Sequence, residues 1–233
     1  MPNWCYNFLS INGSESSIKQ IKDILEVEIA KEGAGKMFVP LVGMDDDMTP
    51  EAYENGGWYN HNINRFGCKW DVCPWEFQPD MDDTQIIMSF DTAWSPAAGF
   101  AELLTQKYGV ETRLEFNESG NYFAGYQITG PDMTPEYKSW DYMEGLYHTD
   151  KEEFWHRFGT NVWDSFDDAD EDNPPKTLEE ILAEPEYSFF DDIDKEHARR
   201  HYEIQKADVL RYLQENGTLE ERIAKIKEQQ KES

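Results

Sequence analysis

Val110-Glu-Thr-Arg-Leu-Glu-Phe116 alternates strictly, with Val110, Thr112, Leu114 and Phe116 facing one way and Glu111, Arg113 and Glu115 the other. A period of two marks a strand with one buried and one wet face. Asn117 to Gly120 supplies turn residues, and Tyr122 to Thr129 reads as the returning strand of a hairpin. Immediately upstream, Gln85 to Trp94 reads as a strand, and Ser95-Pro96 places an N-cap before a proline at the first helical position. Phe100, Leu103 and Leu104 form the apolar face of that helix, and Gly109 stands where a left-handed C-terminal residue is wanted.

Working toward the N-terminus, Trp4 to Ile11 reads as a strand stopped by Asn12-Gly13. Ser14 or Ser16 can cap the helix that follows; Ile18, Ile21, Leu25 and Ile29 share one face, and Gly33 and Gly35 end it. Met37 to Val42 is an apolar run of strand type, placed at a sheet edge or strand end because Pro40 cannot donate a ladder hydrogen bond. Residues 44–84 show no single period and read as a long insertion. The resulting order, β-α-β, insertion, β-α-β-β, predicts an α+β fold: a ferredoxin-like antiparallel sheet with two helices, spanning residues 1–130.

Beyond Gly130-Pro131 the pattern changes to helix and loop. Residues 131–233 are expected to form an acidic, mainly helical extension packed on the first domain, with Trp140, Tyr142, Phe154, Trp155, Phe158, Trp163 and Phe166 making the contact. Thr177 and Glu180 form a capping box, a longer helix is predicted from about Asp194 to Gln214 and closed by Asn216-Gly217, and Thr218 with Glu221 forms a second box. Leu219, Ile223 and Ile226 make a narrow stripe suited to self-association through the C-terminal helix.

The 233 residues are 39% hydrophobic, with 13 Phe, 12 Tyr and 8 Trp, enough for a true core. The net charge of −27 repels nucleic-acid phosphates and anionic membranes, so neither direct nucleic-acid binding nor membrane association is expected. The charge is uneven: −12 over residues 1–130, −16 over 132–194 and +1 over 195–233. Cys5, Cys68 and Cys73 are too few for a disulfide framework and suit a reducing cytoplasm. No apolar run approaches the length needed to span a bilayer.

Three ordered blocks within residues 1–130 carry a resemblance. They are Asn3-Trp4-Cys5-x-Asn7-x-Leu9-x-Ile11-x-Gly13; Trp58-Tyr59 leading to Gly67-Cys68-Lys69-Trp70-Asp71; and Phe90-Asp91-Thr92-Ala93-Trp94-Ser95-Pro96 followed by Glu118-x-Gly120-x-x-Phe123-Ala124-Gly125. With these blocks the chain resembles a family of phage- and plasmid-encoded proteins of uncharacterised function that carry a ferredoxin-like domain. The resemblance implies a mobile-element origin and a host-cell cytoplasm, and brings no catalytic residue or cofactor. Cys68 stands where that family usually has threonine.

Constellations with chemical potential are weak. Cys68-x-x-x-x-Cys73 with His61 lacks zinc-knuckle spacing and a second cysteine pair, and His197 and His201 lack the glutamate of the metalloprotease pattern. Asp168, Asp170, Asp172 and Glu179 match positions 1, 3, 5 and 12 of a calcium loop, but Asn173 replaces its glycine and Pro174-Pro175 breaks it. Gly33-Ala-Gly35-Lys36 lacks P-loop spacing. Asp91 and Lys69 could pair as acid and base only if folding joined their blocks, and Asp45 to Asp47 or Asp80 to Asp83 could hold magnesium. No catalytic residue, metal or cofactor is therefore expected.

Two functional readings remain, with a metal-dependent hydrolase as a further alternative. In the first, the chain is a non-enzymatic accessory protein that binds and inhibits a basic or nucleic-acid-binding host protein, in defence or otherwise. Asp164, Asp167, Asp168, Asp170, Glu171 and Asp172 would imitate the phosphate array of DNA. In the second, Trp4, Asn7, Trp58, Lys69, Trp70, Asp91 and Trp94 line an aromatic pocket for a small molecule or nucleotide.

Overall fold

The computed structural model describes residues 3–167, 169 and 174–217. Among these, the strands β1 (Trp4–Asn12), β2 (Asp80–Met81), β3 (Gln85–Ala93), β4 (Glu111–Glu118), β5 (Phe123–Thr129) and β6 (Glu136–Asp141) form one antiparallel sheet in the order β2-β3-β1-β4-β5-β6. The fold is ferredoxin-like α+β. Helix α1 (Glu15–Ile29) follows β1, and β2-β3 is followed by a second core helix and then β4, with β1 central. Strands β5 and β6 extend the sheet on the β4 side.

Local chemistry explains α1. Ser14 accepts the Ser17 N–H as N-cap, and Ile18, Ile21 and Leu25 turn inward against Cys5, Leu9 and Ile11 of β1. The Met37–Val42 run is not a strand: Phe38–Val42 forms the short helix α2. A distant residue decides this, because the N–H groups of Met37, Phe38 and Val39 donate to the Asp71 carboxylate at 3.0, 2.8 and 3.0 Å. These are the orphan donors of a helical first turn, where Pro40 is tolerated. Phe38 then enters a cluster with Phe66, Phe90 and Phe100, at ring-centroid distances of 5.3, 6.0 and 4.3 Å. The place of the second ferredoxin strand falls to the two residues of β2.

The insertion holds α3 (Pro50–Ala52), a π turn at Tyr53–Gly57, α4 (Trp58–Phe66) and a 3-10 turn at Pro74–Glu76. Gly67 ends α4 at φ 87°, and a Cβ there would sit 3.0 Å from the Pro96 carbonyl oxygen. That contact lies beside α5 (Ala98–Tyr108), whose cap differs from expectation. Ala97 is the N-cap residue, while the Ser95 hydroxyl donates to the Gly67 carbonyl at 2.6 Å and so ties the insertion to the core.

The sheet continues past Gly130, where helix and loop are expected, because β6 pairs with β5 along Phe123–Ile128. Helix α6 (Tyr142–Thr149) follows, and the first compact unit ends at Thr149. The second unit, Asp150–Ser233, contains α7 (Lys151–Asp167), α8 (Leu178–Leu182) and α9 (Asp192–Asn216). Its centre is aromatic, with Phe154 against Phe190 and Phe158 against Tyr187. Thr177 and Glu180 make the expected capping box, and Gly217 closes α9 at φ 78°. The box at Thr218 and Glu221 and the stripe of Leu219, Ile223 and Ile226 lie outside the described residues.

Register positions the candidate site. Cys5, Asn7, Leu9 and Ile11 face the core beneath α1 and α5, so Trp4, Tyr6 and Phe8 point to the opposite face. On that face one row crosses the sheet: Asp91, Tyr6, Asn117, Ala124 and Trp140. Helix α6 seats on the Ala124 end, where a Cβ on Gly145 would lie 2.5 Å from the Ala124 carbonyl oxygen, and leaves the Asp91–Tyr6 end open.

Asp71→Ala strands three helical N–H groups and is expected to lower stability by about 2–4 kcal/mol. Urea unfolding followed by circular dichroism measures the change.

Candidate functional site: an aromatic cleft beside strand β3

β2 pairs only with Ile86 and Ile87, so the outer edge of β3 from Met88 to Ala93 has no strand partner among the described residues. A cleft of about 640 Å³ occupies that space, lined by the sheet residues Trp4, Tyr6, Ser89 and Asp91 and by the segments 33–36 and 70–77. Its walls are pinned. The Glu28 carboxylate accepts the Lys36 N–H at 3.0 Å and holds the glycine-rich loop. Asp71 holds the other wall by accepting the Val72 N–H at 2.8 Å in addition to those of α2. Burial pushes the Asp71 carboxyl above the usual carboxylate range against the pull of those four donors.

Trp4 and Trp70 form the aromatic lining, their ring centroids 6.1 Å apart. Asp91, exposed at the cleft mouth, contributes a carboxylate with no hydrogen bond or ion pair to any described residue, and partial desolvation by the cleft raises its pKa. Beyond Trp70, the Lys69 ammonium lies 4.3 Å from the Trp70 ring centre, 4.6 Å from Trp94 and 5.6 Å from Tyr59. Trp94 reaches this position at φ 69°, a left-handed conformation that is costly for a bulky residue.

Of the residues expected to share a pocket, the fold brings together Trp4, Trp70 and Asp91 in the cleft and Lys69 and Trp94 next to it. Two are placed elsewhere. Asn7 is fully buried: its amide donates to Cys5 O, Phe90 O and Thr92 Oγ1, and its oxygen accepts the Ala97 N–H. Every polar group of Asn7 is consumed by the fold. Trp58 packs edge-on against Tyr59, outside the cleft lining. Asp91 and Lys69 do not form an ion pair, and Arg65 is bound to Asp45, Gly43 O and Val42 O.

The acidic group divides differently. Asp164 is exposed on α7 and lines a shallow cleft of about 380 Å³ with Lys176 and Glu184, and Asp167 is half-buried at the helix end. Asp168, Asp170, Glu171 and Asp172 lie outside the described residues, and with them three of the four ligand positions of the calcium-like loop. His201 stacks on Trp155 at 4.2 Å and 7°, a packing role. Among the described residues no group of three or more His, Cys, Asp or Glu could hold a metal ion, and no helix is long and apolar enough to cross a membrane.

Sequence reasoning missed Tyr6, Lys36, Glu76 and Ser89. Alternation along β1 puts Tyr6 beside Trp4, which was a usable signal. Lys36 reaches the cleft from a loop and Glu76 from the 3-10 turn, and neither has such a signal.

Residues 74–158 match a family model described as the ferredoxin-like domain in Api92-like protein. The match begins in the cleft wall and includes β2 to β6. The first two blocks of the sequence resemblance lie outside it. Among solved structures the chain is similar to the crystal structure of protein api92 from Yersinia pseudotuberculosis. The TM-score is 0.34 at 12% identity, over 61% of this chain and 98% of that one. No curated protein matches.

Trp94→Gly removes both the ring and the backbone strain and is expected to leave stability within about 1 kcal/mol of the parent. Trp94→Ala keeps the strain and loses the ring, so its urea midpoint falls further than that of the glycine variant.

Proposed function

We propose that the chain is a binding protein whose site is the aromatic cleft, and that its ligand is a flat heterocycle presenting N–H donors. The carrying observation is the unpaired Asp91 carboxylate in the same cleft as the Trp4 and Trp70 indoles. Aromatic walls take a planar ring by stacking, and a carboxylate without a partner favours paired donors in the fork geometry a guanidinium offers. The guanine edge, with adjacent ring and amino N–H groups, has that geometry. The outer backbone edge of β3 supplies further donors and acceptors.

Guanosine titrated against the full chain is expected to quench tryptophan fluorescence with saturation. Asp91→Asn and Trp70→Ala should each weaken binding about tenfold or more while the circular dichroism spectrum persists. Absence of saturable quenching in the parent protein overturns the reading. The pH dependence has a defined sign. The donors need ionised Asp91, so affinity is full at neutral pH and falls as the pH drops through the raised pKa, above the range of an ordinary aspartate.

A second reading is favoured by the charge distribution, −16 over residues 132–194 against +1 over 195–233. In it the acidic stretch docks a basic, nucleic-acid-binding host protein in the host cytoplasm, consistent with the mobile-element origin that the sequence resemblance implies. Neutralising Asp164, Asp167, Asp168, Asp170, Glu171 and Asp172 to their amides should abolish retention of such a partner, and retention should fall steeply with salt. Undiminished retention by the neutralised chain defeats this reading.

A further inference from the structure

Lys69 carries its charge among three aromatic rings beside the cleft, in a chain with 48 acidic residues. Among the described residues no carboxylate stands within ion-pairing distance of its ammonium, which is bounded by the rings of Trp70, Trp94 and Tyr59. Ring faces attract the charge but offer only weak acceptors for the three N–H donors of an ammonium. Trp94 takes up a strained backbone conformation to supply one of those faces. The cation is therefore positioned and only partly satisfied.

Trp70 joins this feature to the cleft, since its ring is 6.1 Å from Trp4 on one side and 4.3 Å from the Lys69 ammonium. We infer that the flat ligand of the cleft also carries an oxyanion, a phosphate or carboxylate, that pairs with Lys69 past the edge of Trp70. The inference rests on the cleft reading above. A cationic ligand group does not fit here, because Lys69 already occupies the aromatic faces and would repel a second positive charge. The overall charge of −27 does not forbid a local anion. At physiological ionic strength, exposed charges farther away than about 8 Å are largely screened. Asp91, an unpaired acid of the cleft beside the indoles, is assigned to the donor edge of the ring.

The experiment is isothermal titration of the full chain with guanosine, guanosine 5′-monophosphate and the 5′-carboxylate analogue of guanosine. At least one anionic ligand is expected to bind about tenfold or more tighter than guanosine, with affinity falling as salt rises. The tighter of the two identifies the oxyanion. Lys69→Met keeps the apolar stem and should bring the anionic ligands to the level of guanosine, whose own affinity is unchanged, whereas Lys69→Arg should preserve the preference. Equal binding of all three ligands by the parent chain overturns the inference and leaves the cleft reading standing. So does a Lys69→Met variant that weakens all three alike, which would make Lys69 structural. If none of the three binds, the cleft reading falls as well.

Discussion

Much of the first unit depends on one carboxylate. Asp71 accepts the N–H groups of Met37, Phe38, Val39 and Val72, and so fixes the insertion to α2, which precedes it, with no regular pairing between them. A backbone donor left unpaired inside a protein costs more than an ordinary hydrogen bond contributes, so the four donors together select one position for the carboxylate. The consequence for packing is that Phe38 is driven into the cluster with Phe66, Phe90 and Phe100. The consequence for the cleft is that Trp70, the preceding residue, is held at its wall.

The cleft itself results from a subtraction. A ferredoxin-like sheet ordinarily covers the outer side of the strand equivalent to β3 with a full partner, but here that partner is reduced to Asp80–Met81. An uncovered edge invites pairing with other chains. The protein instead places the segment 70–77 and the loop 33–36 across the gap, leaving a cavity rather than an open strand. At the other end of the same row of residues α6 covers the sheet, with Gly145 seated closely on Ala124.

How much of this was legible in the sequence depended on whether the deciding interaction was local. The strict alternation of Val110 to Phe116, the Ser14 cap of α1 and the box at Thr177 and Glu180 act within a few residues, and each element formed as its pattern indicated. Met37 to Val42 became a helix because its cap lies in another segment, and no window around Pro40 contains Asp71. Ser95 failed as a cap for a similar reason: its hydroxyl is taken by Gly67. β6 was missed because Glu136 to Asp141 is an exposed edge with no buried alternation to read. In the candidate site Trp4, Lys69, Trp70, Asp91 and Trp94 could be suspected from their chemistry, but their proximity is set by the insertion, which has no period.

Asn7 shows how a residue can matter to a site without touching a ligand. Its side chain joins Cys5 O, Phe90 O, Thr92 Oγ1 and the Ala97 N–H, linking β1 to the turn that follows β3. The Thr92 hydroxyl continues the link by bonding to the Ser95 carbonyl at 2.7 Å, and the Trp94 N–H donates to Asn3 O at 2.9 Å. The turn is thereby over-determined from both sides, which is the condition for holding a tryptophan in a left-handed conformation. This gives the N-terminal block and the Phe90–Pro96 block a common physical purpose. Asn7 donates to Thr92 and accepts from Ala97, Thr92 donates to Ser95 O, the Asn3 carbonyl accepts the Trp94 N–H, and the stored strain appears at Trp94, where the indole meets Lys69. A network this complete has no free polar group for a ligand, so the proposed cleft draws on the other face of the same strands, where Trp4, Tyr6 and Asp91 lie.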